Sequence, residues 1–297
     1  MKHEFWVKTN LGSIRTWKIG APSAQHHVVI FTGLSEFCEK YLELISFLTN
    51  HDMEVLIFDW PGLGLSGAYG NPPTTSHTAG FDDLLQAGCD VIDKSGWADK
   101  RFFVIGHSMG GHLAFRLAGL TKYQIAGIMA LSPMMLPQVT PSIPIFILAS
   151  IISICGFKER IIPYTDQNTL LKTRKFNPQN PLSRNQQNIE KIIDLINENP
   201  SLARSGVSFG WLSSAFYSCF KTTMRSSFLK NIKLPVLILI GSGDKLVSIN
   251  AIRNSVTYLS NSQLVSFNEA KHELYIEMPN IIEQTQNCIK GFINKNA

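Results

Sequence analysis

Arg101-Phe-Phe-Val-Ile-Gly106-His107-Ser108-Met109-Gly110-Gly-His112-Leu-Ala-Phe-Arg116-Leu-Ala-Gly-Leu-Thr121 decides the architecture of this 297-residue chain. The uncharged run after Arg101 reads as a strand buried on both faces, and Met109–Leu120 places apolar residues at helical spacing. Between them stands G-x-S-x-G. The bare pattern is weak, but its strand–turn–helix setting makes Ser108 the residue of a sharp elbow. There the hydroxyl is pushed clear of the sheet, and Gly106 and Gly110 leave room for tightly packed backbone. The helix N-terminus behind it aims N–H groups at developing negative charge. An ordinary Gly-rich turn is the plainer reading; residues much further along the chain argue against it.

Working outward, extended runs are expected at Glu4–Lys8, Ile14–Ile19, His27–Phe31, Glu54–Phe58, Arg101–Ile105, Ile125–Leu131, Pro235–Ile240 and Gln263–Phe267. Helical patterns fall at Phe37–Thr49, Thr78–Lys94, Met109–Leu120, Ile249–Leu259 and Asn280–Phe292. This alternation predicts an α/β fold, a mostly parallel eight-stranded sheet flanked by helices. One long interruption, Ser132–Lys233, divides it into a core of residues 1–132 and 234–297 and a helical cap of residues 133–233. Within the cap, Ile189–Asn197 and Ser208–Phe220 are the best-patterned helices. Ile143–Phe157 is fifteen residues without a charge, too short for an ordinary membrane span. It reads either as a buried cap helix or as a lid that seeks an interface.

A serine hydroxyl needs a histidine base, and the base needs a carboxylate to hold its tautomer. In an elbow of this kind the chain order is Ser, acid, His. Asp244, in Gly241-Ser242-Gly243-Asp244-Lys245 directly after an apolar strand, is the expected acid. His272 alone among the eight histidines follows it and is the expected base. His107, locked inside the elbow, and His112, one turn into the helix, are poorly placed for that role. Asp59 precedes Ser108 and reads as a turn residue. Two donors are needed for an oxyanion: the N–H of Met109 and, from the loop Thr32-Gly33-Leu34-Ser35-Glu36, that of Leu34. Gly33 is expected to supply an unusual φ there.

Composition, at 44% apolar, supplies a large core and makes disorder unlikely in the chemical sense of too little burial. The five cysteines are widely spaced with no C-x-x-C pair, so neither a disulfide framework nor a metal site is expected. The first residues carry charge and no apolar run of the signal type, which points to a cytoplasmic protein. Net charge is +5, yet between Phe157 and Leu234 twelve Lys and Arg stand against five Asp and Glu. That excess is either a solvated face or a surface for peripheral contact with the anionic inner face of a membrane. No nucleic-acid motif accompanies it.

With these residues in hand the chain resembles the α/β-hydrolase superfamily, in the branch of lysophospholipase L2 and monoacylglycerol lipase. Gly33-Leu34-Ser35-Glu36 with Lys40-Tyr41 is similar to that family's oxyanion loop, Asp59–Ser66 to its D-x-x-G-x-G-x-S turn, and Gly106–Gly111 to its elbow. Asn180-Pro181-Leu182-Ser183, Asn199–Ala203 and Gly210-Trp211-Leu212 resemble the lysophospholipase L2 type of cap. Pro61 and Leu63 depart from the Arg and Gln common there, and Thr32 from the lipases' His. The resemblance implies a serine ester hydrolase, without metal or organic cofactor, acting on the acyl ester of a single-chain lipid. A soluble carboxylesterase or thioesterase would share every one of these residues, and a non-catalytic binding protein of this fold should lack one. Oligomeric state is not legible.

Overall fold

The structure, a computed structural model, describes residues 2–297. Its strands in chain order are β1 (Lys2–Thr9), β2 (Gly12–Ile19), β3 (His26–Phe31), β4 (Met53–Phe58), β5 (Thr75–Ser76), β6 (Phe102–His107), β7 (Ile125–Leu131), β8 (Ser205–Val207), β9 (Val236–Gly241) and β10 (Ser262–Phe267). Eight form one sheet in the order β1-β2-β4-β3-β6-β7-β9-β10, while β5 and β8 pair separately. β2 runs antiparallel to β1 and β4, and every later pairing in the large sheet is parallel. This is the α/β-hydrolase architecture.

The apolar runs are continuous because both faces are covered. Val28, Ile30, Val55, Ile57, Phe103 and Ile105 belong to one core cluster. Their neighbours Val29, Phe31, Leu56, Phe58 and Val104 belong to the other. The helices are α1 (Leu42–Thr49), α2 (Phe81–Lys94), α3 (Met109–Gly119), α4 (Ser142–Ile152), α5 (Leu170–Thr173), α6 (Gln186–Glu198), α7 (Phe209–Lys221), α8 (Ser226–Lys230), α9 (Ile249–Val256) and α10 (Pro279–Asn296). The helix expected from Thr78 begins only at Phe81, because Gly80 is still extended. That expected from Phe37 opens with a 3₁₀ turn, Cys38–Tyr41, whose first N–H is bound by Asp59 Oδ1 at 2.9 Å.

Between β7 and β9 the chain leaves the sheet and builds α4 to α8. The helix α4 is not buried: among its residues only Ala149 is, and Ile143, Ile147, Leu148 and Ile151 are 61%, 51%, 56% and 54% exposed. Of the two readings of Ile143–Phe157, the buried helix is the one this exposure rules out. An uncharged run has no charged face to show which side meets solvent. The later part of the insertion is fastened more firmly. Arg204 donates from Nε to Gly62 O, from Nη1 to Ser201 O and Ala203 O, and from Nη2 to Gly64 O and Gly67 O. All five of its N–H groups are thereby satisfied by carbonyls, three of them on the turn after β4. Beyond α7, Thr223 donates to Met135 O at 3.2 Å, and Phe228 fills the space beside Gly119, so this stretch packs on α3.

Candidate active site

The elbow depends on close backbone packing. Ser108 has φ 51° and ψ −115°, a conformation that costs a non-glycine residue about 1–3 kcal/mol. Hydrogen bonds hold it there: Ser108 N–H donates to Leu131 O at 3.0 Å, and Ser108 O accepts from Met134 N–H at 2.9 Å and His112 N–H at 3.2 Å. A Cβ on Gly110 would stand 2.0 Å from Phe31 O, and one on Gly106 2.6 Å from Gly110 O. Both glycines are required by space.

Asp244 and His272 come from the loops after β9 and β10, adjacent parallel strands whose C-terminal ends lie side by side. Asp244 Oδ1 accepts from Leu246 N–H at 2.8 Å, and Asp244 Oδ2 lies 2.6 Å from His272 Nδ1. Burial works against the Asp244 charge, but His272 and the backbone donors outweigh it and hold the carboxyl below its usual range. Nδ1 of His272 is thus engaged by Asp244, and no hydrogen bond joins His272 Nε2 to Ser108. Glu277, wholly buried, braces the same loop by accepting from Lys271 N–H at 3.0 Å and Arg184 N–H at 3.2 Å.

Ser108, His272 and Leu34 line one cavity of about 670 Å³. Neither Leu34 N–H nor Met109 N–H has a protein acceptor among the described residues. The walls are apolar, with Val139, Ile145, Ala149, Ile162, Phe209 and Leu212 among them. Trp211 Nε1 sits 3.4 Å from Met109 Sδ, so the insertion touches the residue after the serine.

The expectation for Gly33 is corrected. Its φ is not positive; the positive φ in this loop falls on Ser35, at 62°. Gly33 is needed for space, since a Cβ would stand 2.7 Å from Glu36 Oε2 and 3.0 Å from His107 Nδ1. Asp59 is buried and bound by Arg15 Nε at 2.8 Å and Leu65 N–H at 2.9 Å, the role of a turn residue. His112 is buried between Ser218 and Thr223, and burial pushes its ring down to about 3. Reading the sequence alone missed Glu273 and the partnership of Glu36, Lys40 and His107. Apart from the likeness of Glu36 with Lys40-Tyr41 to an oxyanion loop, the signal was a charged Glu-x-x-x-Lys beside an apolar strand, a spacing equally usual on a solvated helix face.

A family model described as serine aminopeptidase, S33, matches residues 22–279. Monoglyceride lipase of Mus musculus is 26% identical over 296 residues, spanning 94% of this chain and 86% of the mouse protein. Lysophospholipase L2 of Escherichia coli (strain K12) is 35% identical over 98 residues, 31% of this chain and 28% of that protein. Among solved structures, a monoacylglycerol lipase of Paleococcus ferrophilus superposes with a TM-score of 0.72 at 22% identity, covering 95% of this chain and 98% of its own. A soluble variant of monoglyceride lipase from Saccharomyces cerevisiae, in complex with a substrate analog, reaches 0.78 at 16% identity, covering 100% and 97%.

Proposed function

The chain belongs to the serine aminopeptidase (S33) family, and from that premise we propose that it is a serine hydrolase of single-chain lipid esters, lysophospholipids or monoacylglycerols. The observation that carries this reading is the apolar cavity with Ser108 and His272 in its wall. Its volume suits one ligand of acyl-chain size, within the roughly 300–1,000 Å³ usual for such sites. The lipase and lysophospholipase names of the relatives support it.

Ser108 Oγ attacks the ester carbonyl carbon as His272 Nε2 takes its proton. Asp244 holds the ring and offsets the imidazolium. The oxyanion rests against the N–H groups of Leu34 and Met109. Collapse breaks the C–O bond, and the leaving alcohol takes the proton from His272. Water, deprotonated by the same ring, then attacks the acyl carbon; the Ser108 Oγ–acyl bond breaks, Oγ takes the proton back from His272, and the fatty acid leaves.

Residues 133–233 act as the cap, and the outward face of α4 rests on an anionic membrane surface at the cytoplasmic side. The support is the exposed apolar row ending at Phe157, in which Ile154 is 86% exposed, with Lys158-Glu159-Arg160 directly after it. No helix among the described residues is long and apolar enough to cross a membrane. Labelling with a fluorophosphonate, followed by turnover of lysophospholipids, monoacylglycerols and short p-nitrophenyl esters, tests the reading. Label on Ser108 and preference for long single chains are expected. Preference for short esters would make it a soluble carboxylesterase, and absence of label on Ser108 would end the hydrolase reading.

A further inference from the structure

His107 stands beside Ser108 in the elbow and is 1% exposed. Its Nε2 lies 3.3 Å from the carbonyl oxygen of His272, and its Nδ1 lies 3.0 Å from Glu36 Oε1 in an ion-pair contact off the line of a straight hydrogen bond. A carbonyl and a carboxylate only accept. A neutral ring would turn a lone pair on one of them, whereas with both nitrogens protonated each N–H faces an acceptor.

The surrounding charges lead to the same protonation state. Lys40 Nζ reaches Glu273 Oε1 at 2.7 Å and Glu36 Oε1 at 3.4 Å, so one buried ammonium faces two buried carboxylates. The remaining groups around Glu36 are neutral: Tyr275 donates to Oε1 at 2.8 Å, and Tyr41 and the Gly33 N–H donate to Oε2. A charged His107 brings the cluster to neutrality, as burial of ions demands. Burial opposes the charge on His107, but Glu36 outweighs it and the ring is raised; Glu36 itself is held well below the carboxylate range.

This cluster joins two loops that the hydrolytic reading needs in register. Glu36 holds Gly33, next to the Leu34 amide, and His107 holds the backbone of His272, whose ring is fixed by Asp244 on its other side. Resting on that reading, we propose that His107 is a positioning residue, a buried imidazolium strut that sets the catalytic base and the oxyanion loop relative to Ser108.

The test is steady-state kinetics of His107→Phe, His107→Gln and Glu36→Gln on a soluble short ester between roughly pH 5 and 9, with thermal unfolding alongside. Misplacing reacting groups by about 1 Å can cost about 100-fold, so kcat of His107→Phe should fall about 10- to 100-fold while KM changes little. The acid limb of kcat/KM should move to higher pH in both His107 variants, because the cationic ring they remove stands 4.7 Å from the His272 ring, centroid to centroid. His107→Gln, which can still donate to the His272 carbonyl, should keep more kcat than His107→Phe. Adding Glu36→Gln to His107→Phe should cost less than the two losses combined. A folded His107→Phe with unaltered kcat, or variants whose acid limb does not move, would reduce His107 to filler and overturn the proposal. If His107→Phe fails to fold, the acid limb of His107→Gln decides alone. Wild-type protein that takes no fluorophosphonate on Ser108 would overturn the hydrolase reading itself, whereas labelled wild type with unaltered His107 variants overturns only the strut.

Discussion

Nδ1 of His272 stands 2.6 Å from Oδ2 of Asp244 although 28 residues separate them. Parallel pairing of β9 with β10 makes the contact, because it sets their two following loops side by side. Groups that act as one unit lose activity together: Ser108→Ala and His272→Ala should each lower kcat by about 10⁶ and the triple variant with Asp244→Asn scarcely more. Asp244→Asn alone should cost about 10⁴. Ester turnover of the purified variants checks this, and near-full activity in Asp244→Asn would point to another carboxylate.

Gly110→Ala should not give folded protein. Its Cβ would stand 2.0 Å from the carbonyl oxygen of Phe31, and overpacking against backbone exceeds the usual range of about 1–3 kcal/mol. Gly291→Ala is the control. It lies inside α10 with nothing within 4 Å of the new methyl, so a gain of about 0.5–1 kcal/mol is expected. Circular dichroism melts compare the two.

The two sides of α4 should separate in function. Ile145 lines the cavity, so Ile145→Ser should lower turnover of palmitoyl more than of acetyl esters, each lost methylene contact being worth up to about 0.8 kcal/mol. Ile151 and, two residues past the end of α4, Ile154 are exposed. Their change to Ser should weaken adsorption to anionic vesicles, measured by sedimentation, and leave the acetyl ester untouched.

The basic segment should add a salt-dependent part to that adsorption. Lys172 and Lys175 carry charge at the surface, although Lys172 stands 3.5 Å from Asp166 and Arg174 is spent on Leu171 O and Asn197 Oδ1. Reversing all three to Glu should weaken vesicle binding at low salt, each basic residue near such a surface being worth about 1 kcal/mol. Binding indifferent to both salt and reversal would return them to solvated surface.

Glu36→Gln should destabilise the fold by about 3–5 kcal/mol at neutral pH, the usual effect of breaking a buried ion pair. The depressed Glu36 carboxyl gives stability present above its ordinary value, about 4.3, and lost as pH falls through its lower folded value. The raised His107 contributes fully below its ordinary value, about 6.5, and loses that as pH rises through its folded value. Wild type should therefore be most stable between these limits, and Glu36→Gln should show a flatter acid side. Urea unfolding at several pH values measures both.

The sequence by itself determined the sheet, the elbow and the order of Ser108, Asp244 and His272, because those signals are local. Apolar runs of strand length, a Gly-x-Ser-x-Gly turn and a Gly-rich loop after a strand are written in consecutive residues. Tertiary structure decided what depends on distant partners. The exposure of α4 was open because an uncharged helix presents no side that differs from another. Gly33 looked like a φ requirement and is a space requirement, set by Glu36 and His107. Arg204 reads as one more surface cation until its five donors meet carbonyls from two loops. Glu36 and Glu273 are 237 positions apart, and only the assembly of the sheet brings Glu273 to the Lys40 that stands four residues after Glu36. A buried charge is tolerable only when its partners arrive with it, and no stretch of either neighbourhood records that they will.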